Sequence, residues 1–267
     1  MQKIRQRFRY PLILLRQLVK TDFKLRYQGS VLGYVWSLLR PLAIFVILYV
    51  VFTKFLEIGK DIPHYPVYLL LGIVFWNFFI EITTGNVSVI VSSSDLIRKI
   101  NFPKYVIIFA NSVSALINLA FNLVVVAFFM YINDVQLRSE ALLLPILILE
   151  LFAFALALGF FLSAAFVRFR DITYIWDVIV QGAFYATPLL YPLSMVPVSA
   201  AKIILLNPVA QIVQDARYVL ITDQSQTISS VYQNGRMRLV PIAIVTVSIL
   251  VATIYFRSRS RFFAEEV

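Results

Sequence analysis

Three acidic residues, Glu81, Glu150 and Asp177, stand inside long apolar stretches of this chain. A carboxyl group placed in hydrocarbon is expensive, so such residues mark proton relays, ion paths or polar contacts inside a bundle. Proton coupling in a secondary carrier and hydrogen-bonded packing or pore lining both remain open for them. Asp177 lies about two helical turns from Arg168 and Arg170, which favours a local ion pair there. A carrier would also show repeated halves with interrupted helices, and no such symmetry is visible. Other chemistries have little to work with. The chain has one histidine, His64, and no cysteine, so a histidine cluster for a metal, a Ser-His-Asp triad and a thiol nucleophile lack their residues. Its one Gly-Lys pair, Gly59-Lys60, lacks the upstream glycine of a phosphate loop. No catalytic residue, bound cofactor or metal is therefore expected.

Aromatic rings are the other chemically suggestive set. Phe45, Tyr49 and Phe52 recur at helical spacing, as do Tyr68, Phe75 and Phe79, and Trp176, Phe184 and Tyr191. Such stripes pack or face lipid, but flat rings also stack on the C–H faces of sugars, much as they stack on bases. Ala155, Gly159 and Ser163 form a small-xxx-small line whose ordinary use is close helix packing.

The elements that must position these residues are membrane helices. Of 267 residues, 60% are hydrophobic and only 14% charged, against about a quarter charged in soluble domains. Six segments approach the 20 or so apolar residues that a crossing needs: 36–55, 66–89, 105–132, 141–166, 172–193 and 239–256. If the N-terminus is cytoplasmic, 17 of the 24 Lys and Arg fall on the inside. The positive-inside bias thus predicts six crossings with both termini in the cytoplasm, which also accounts for the net charge of +10 without nucleic acid. No cleavable signal peptide is evident.

The fold expected is all-α, one permease domain over residues 1–267. Residues 1–35 form an interfacial helix and turn, 36–193 spans one to five, 194–238 outer re-entrant helices and a loop, 239–256 span six, and 257–267 a cytoplasmic tail. From Leu12 to Tyr27, Leu12, Leu14, Leu15, Leu18, Val19, Phe23 and Leu25 oppose Arg16, Gln17, Lys20, Thr21 and Lys24, the pattern of an amphipathic helix lying in the interface. Asp22 and Arg26, at i and i+4 within the apolar arc, are placed to pair. Gly29 and Gly33 permit the turn into the first span, where Arg40 can snorkel toward headgroups and Pro41 stiffens the chain. After Ala186, Pro188, Pro192 and Pro197 break an otherwise apolar run. Short re-entrant helices are expected there, which hydrocarbon tolerates only where protein covers the backbone. Between spans two and three, Ser92, Ser93 and Ser94 can cap a short helix with Asp95 in its first turn, and Pro103 ends the segment.

Four stretches in this order resemble the membrane-spanning subunit of type-two ABC exporters of bacterial polysaccharide, the family that exports O-antigen, capsule and wall teichoic acid. They are RYQGSVLGYVWSLLRPL (residues 26–42), FWNFFIEITTGNVSVIVSSSDLIRKINFPK (75–104), FRDITYIWDVIVQGAFYATPLLYP (169–192) and LNPVAQIVQDARYVL (206–220). Arg40 departs from the pattern, in which a neutral or acidic residue precedes the proline. The resemblance implies a homodimer in the bacterial inner membrane, joined to two copies of an ABC ATPase that carries the ATP and Mg, and driving a lipid-linked glycan outward. It assigns the helix of Ser94, Asp95, Leu96, Ile97, Arg98, Lys99 and Ile100 to a groove of the ATPase, and Asp22, Arg26 and Tyr27 to a cytoplasmic gate. Tyr49, Phe52, Phe75, Phe79, Phe184 and Tyr185 are then the expected conduit lining. An ABC exporter of a lipid or small amphiphile is the alternative; a proton-coupled carrier and a non-transporting scaffold follow.

Because the chain has no cysteine, single introduced cysteines report sidedness directly. Ser93→Cys should resist an impermeant maleimide in intact cells and react after permeabilisation. Labelling in intact cells would reverse the topology.

Overall fold

The computed structural model describes residues 2–26, 33–58, 62–100 and 102–263, and the described residues are helical with no strand. Helix α1 (Gln2–Arg26) passes through Pro11 without ending. Helix α2 (Trp36–Val50) continues as a wider π-helical turn to Phe55. Then follow α3 (Tyr65–Val87), the short α4 (Val89–Ser92) and α5 (Ser94–Lys99), α6 (Tyr105–Ile132), and α7 (Leu144–Arg168) behind a 3-10 turn at Ser139–Leu143. Five helical stretches are long and apolar enough to cross a membrane: Trp36–Phe55, Tyr65–Val87, Tyr105–Ile132, Ser139–Arg168 and Gly235–Arg259. They coincide with five of the six segments expected. Gly33, before α2, has φ of +48°, a left-handed turn that glycine adopts without a Cβ penalty; Gly29 lies outside the described residues.

The remaining segment differs. Helix α8 covers only Ile172–Ala186, 15 residues, about 22 Å at 1.5 Å per residue and short of a 30 Å core. It stops because Pro188 disfavours helical geometry at the preceding residue, and Thr187 is extended with ψ of 133°. Beyond it lie α9 (Val198–Ile204), α10 (Pro208–Leu220), α11 (Ile228–Tyr232) and the long α12 (Leu239–Arg259). Helices do form in the proline-broken region. Asn207 caps α10 by accepting from the Val209 amide at 3.0 Å, with Pro208 in the first turn.

Helix α3 is the axis of the fold, packing against α2, α6, α7, α8 and α10. Its apolar window is 78% buried against 11% for α2, although the two are similarly apolar. Between α3, α6 and α7 the contact is made by amides and small residues. Asn111 Nδ2 donates to Asn86 Oδ1 at 3.1 Å, Asn86 Nδ2 to Ser112 Oγ at 3.0 Å, and Ser112 Oγ to the Ile108 carbonyl at 2.8 Å. Ala155, Gly159 and Ser163 are buried, and a Cβ on Gly159 would meet Asn86 Nδ2 at 2.9 Å. The small-residue line of α7 thus lets the Asn86 amide approach its backbone.

The end of the molecule that holds α10 is closed by Arg217, whose side chain is fully buried. Its Nε donates to the Tyr68 carbonyl at 3.2 Å, Nη1 to the Pro188 carbonyl at 2.6 Å and to Gln214 Oε1 at 3.1 Å, and Nη2 to the Leu189 carbonyl at 2.6 Å. The guanidinium lies 3.5 Å over the Tyr68 ring. A Cβ at Gly72 would come within 2.6 Å of Nη2. Tyr65 Oη adds a bond to the Leu190 carbonyl at 2.8 Å. Nearby, Asp215 accepts from Gln211 at 2.7 Å and pairs with Arg238 at 3.2 Å, joining α10 to the start of α12.

Each carbonyl left without its donor costs about 1–3 kcal/mol. Arg217→Met should therefore lower the thermal unfolding midpoint of the detergent-solubilised chain sharply, and Gly72→Ala should do so to a lesser degree. The exposed Arg236→Met is the control and should leave the midpoint unchanged; equal midpoints for all variants would remove Arg217 from this role.

Candidate functional site

At the opposite end, a second apolar cluster collects the parts that the resemblance assigns to coupling and gating. Ile90, Ile97 and Phe102 of the α3–α6 connection are buried with Val106, Ile107 and Ile108 at the start of α6, Ala164 and Val167 at the end of α7, Phe256 near the end of α12 and Phe263 just beyond it. Leu14, Leu15 and Leu18 of α1 pack against the same cluster. Edge-to-face rings reinforce it, Phe160–Phe256 at 4.9 Å and Phe256–Phe263 at 5.5 Å.

Within this frame α5 is short, with Asp95 in its first turn and Arg98 and Lys99 in its last, the order that the helix dipole favours. Ser93 stands at the N-cap, but its side chain makes no capping hydrogen bond. The expected bearing surface is redistributed. Ile97 points inward at 7% exposure because the connection must be pinned to α6 and α7. Leu96 is half-buried, Ser94 partly so, and Asp95, Arg98, Lys99 and Ile100 are exposed. The outward face is therefore Asp95, Arg98, Lys99 and Ile100, a charged patch with one apolar residue.

The amphipathic pattern of α1 corresponds to the structure in its main line. Arg16, Gln17, Lys20, Thr21 and Lys24 are exposed while Leu14, Leu15, Leu18 and Val19 are half-buried, though Leu12 faces outward. The helix packs along α6. Asp22 is half-buried; Tyr27 and the side chain of Arg26 lie outside the described residues.

The six expected conduit aromatics do not share one surface. Phe75 and Phe79 are core residues at 0% and 5% exposure. Phe79 lies among rings, 5.6 Å from Trp76, 6.0 Å from Phe154 and 6.4 Å from Trp176. The reason is that α3 is enclosed on nearly every side, so its aromatic stripe packs rather than lines. Phe184 is half-buried against Trp76 at 5.8 Å and Tyr185 at 5.3 Å. Tyr49 stacks on Phe45 at 5.8 Å, and Phe52 is half-buried on the same helix. Only Tyr185 is well exposed, at 71%. On α8 it continues an outward face of Tyr174, Ile175, Asp177, Val178 and Gln181, whose residues around Tyr185 sequence spacing alone did not single out.

The three acids also separate. Glu81 accepts from Asn118 Nδ2 at 2.6 Å, which is the polar-contact reading. Glu150 is half-buried on α7. Asp177 is exposed and makes no ion pair with Arg168 or Arg170, whose guanidinium groups lie over Phe169 and Phe166 at 5.4 Å and 5.0 Å. Among the described residues no group of His, Cys, Asp and Glu could hold a metal ion.

Long apolar helices around a buried axial helix, with a short charged connection at one end, define an α-helical integral membrane protein. The profile of the ABC-2 type transporter family matches residues 13–221, and the chain belongs to that family. It is 28% identical over 267 residues to the O-antigen export system permease protein RfbA of Myxococcus xanthus, covering 99% of this chain and 98% of that protein. Two proteins of the same name from Klebsiella pneumoniae are each 27% identical, over 212 residues (79% of this chain, 81% of the relative) and 236 residues (87% and 90%). Membership implies an ABC ATPase partner.

The inward turn of Ile97 generates a paired prediction. Ile97→Asp should lower the thermal midpoint, since an uncompensated buried carboxylate costs on the order of several kcal/mol. Ile100→Asp, on the exposed side, should stay within about 0.5 kcal/mol of the parent. The reverse order in denaturant titrations would show that α5 is rotated.

Proposed function

We propose that this chain is the permease of an ATP-driven exporter that moves a lipid-linked polysaccharide from the cytoplasmic side across the bacterial inner membrane. The observation that carries this reading is the near end-to-end similarity to permeases named for O-antigen export. The chain works as a homodimer with two ATPase subunits, both termini in the cytoplasm and ATP hydrolysed on the partner.

Six crossings follow in this reading. Residues of α1 and of the α12 end share one cluster, and terminal regions at the same end of the bundle support an even number of passes. Helix α8 starts beside that end, and Leu190 reaches Tyr65 at the other end of α3. The segment from Ile172 to Leu190 thus supplies the sixth pass by joining a short helix to a protein-covered, non-helical stretch. Helices α9 and α10 then serve as outer re-entrant elements; α10 is almost wholly enclosed by protein, as hydrocarbon demands of such backbone, while α9 leaves Val198 and Ile203 exposed.

The coupling surface is Asp95, Arg98, Lys99 and Ile100, with Ser94 and Leu96 at its edge and Ile97 as its anchor. A push on α5 from the ATPase reaches α6, α7, α12 and the gate helix α1 through the cluster that they share. The conduit is formed between two copies, where the outward face of α8 presents Tyr185 and the half-buried Phe184, Tyr49 and Phe52 border it. Rings in series retain a polar chain weakly: stacking is worth about 1–3 kcal/mol per base in nucleic-acid binding, and a conduit requires retention without trapping.

The test is export in cells that lack their own permease. Lys99→Glu with Ile100→Asp should leave expression and folding intact while long glycan at the cell surface falls at least about tenfold, the rate equivalent of 1.4 kcal/mol. Tyr185→Leu with Phe184→Leu should preserve ATPase binding and hydrolysis but reduce export of long polymer more than short. Full export by the α5 variant would move the coupling surface elsewhere, and full export of long chains by the α8 variant would return those rings to packing.

A further inference from the structure

Where α2, α3 and α6 diverge, a cavity of about 560 Å³ opens beside the first turns of α2, within the range of small-molecule sites. Its wall is far more polar than membrane packing requires: Arg40 from α2, Asn77, Glu81 and Thr84 from α3, and Asn118 and Asn122 from α6. The same pair of helices shows what ordinary polar packing looks like a few turns away, where Asn86, Asn111 and Ser112 close their hydrogen bonds on one another. Around the cavity they close only in part: Asn122 Nδ2 donates to the Asn118 carbonyl at 2.9 Å and to the Ser37 carbonyl at 3.4 Å, but other atoms are left over. Asn118 is 6% exposed and uses its nitrogen on Glu81, yet its Oδ1 has no hydrogen bond among the described residues, and neither has Thr84 Oγ1. Asn77 makes no hydrogen bond among the described residues. Buried polar atoms are almost always paired, so open valences gathered on one cavity point to a ligand.

The residue types define its chemistry. Amides both donate and accept, and the carboxylate accepts, so the complement is a cluster of hydroxyls that do both. The one cation, Arg40, is exposed on the α2 side, one turn from Trp36, which is 48% exposed. An anion belongs there, and Glu81 keeps it from moving deeper. We propose that this cavity binds the phosphate-linked polyol head of a lipid, with the hydroxyls among Asn77, Glu81, Asn118 and Asn122 and the phosphate on Arg40. Two sources offer that chemistry: the lipid-proximal sugar of an exported glycan, which rests on the exporter reading, and the glycerol head of phosphatidylglycerol in the surrounding membrane.

Binding can be measured without transport. The full chain in complex with its ATPase, in detergent, is titrated by native mass spectrometry with phosphatidylglycerol, with a polyprenyl phosphate carrying one glucose, and with phosphatidylethanolamine, which lacks the polyol. At least one of the first two should bind about tenfold or more tightly than the third. Asn77→Leu and Arg40→Gln should each weaken that binding about tenfold without moving the thermal midpoint, since neither side chain has a hydrogen-bond partner to lose among the described residues. Preference for the glucosyl lipid assigns the site to the exported substrate, and preference for phosphatidylglycerol, or parity between the two, assigns it to membrane lipid. Equal affinity for all three lipids, or undiminished binding in both variants, would overturn the proposal and leave the cavity to water. Lipid binding as expected by an intact chain that fails to restore glycan export to permease-deficient cells would count against the exporter reading alone.

Discussion

A buried guanidinium without a carboxylate partner is the constraint around which one half of this protein is arranged. Arg217 cannot shed its charge at ordinary pH, so its donors must find acceptors inside the protein or not be buried at all. Backbone supplies them. The carbonyls of Pro188 and Leu189 are available because α8 has ended; in a continuous helix they would accept from amides four residues on. The break that makes α8 too short for a crossing is thus the same feature that solvates Arg217. The Tyr68 carbonyl and ring take the remaining directions, and Gly72 leaves the space. Residues far apart in sequence, from Tyr68 through Leu189 to Arg217, form one unit.

The two ends of the molecule are held by different forces. At the Arg217 end, directional bonds fix α3, α8 and α10, and a displacement of any one would strand several polar groups at once. At the α5 end, apolar side chains and edge-to-face rings join α1, α5, α6, α7 and α12. Apolar contacts are non-directional, so helices there can slide with less penalty than at the other end. In the exporter reading the ATPase pushes on the compliant end and the hydrogen-bonded end serves as the fixed frame. That division of labour places the moving parts next to the energy source.

Length and composition made five crossings legible almost to the residue, and the proline positions foretold the short helices after α8. Orientation around each helix was much less legible. Helices α2 and α3 have nearly the same mean hydropathy, 1.9 and 1.7, but one is peripheral and the other enclosed. An apolar helix in a membrane shows no polar face to mark its outside, so spacing aligned Phe75 and Phe79 without revealing that neighbours cover them. The inward turn of Ile97 was not legible for a related reason: in a helix of six residues, two apolar positions, Leu96 and Ile97, do not define which side is anchored. Arg217 carried a signal that charge counting passed over. It falls on the same face as the buried Val213 and Leu220, and a cation within an apolar stripe marks a buried acceptor set.

The face of α8 that one chain leaves uncovered carries a further constraint. Tyr174, Val178 and Tyr185 are each more than two-thirds exposed, and Asp177 and Gln181 are exposed with them. Lipid could cover the apolar members but not a carboxylate and an amide at that depth, where a charge is costly unless it meets water or a partner. A second chain alone would bury Asp177 against apolar neighbours and raise the same difficulty. A water-filled space bordered by two copies satisfies both kinds of residue, since rings can border water as readily as they pack and the polar groups remain solvated. In the exporter reading, the mixed character of this face, rather than the number of rings in the chain, is what favours a hydrated conduit over a lipid-facing surface.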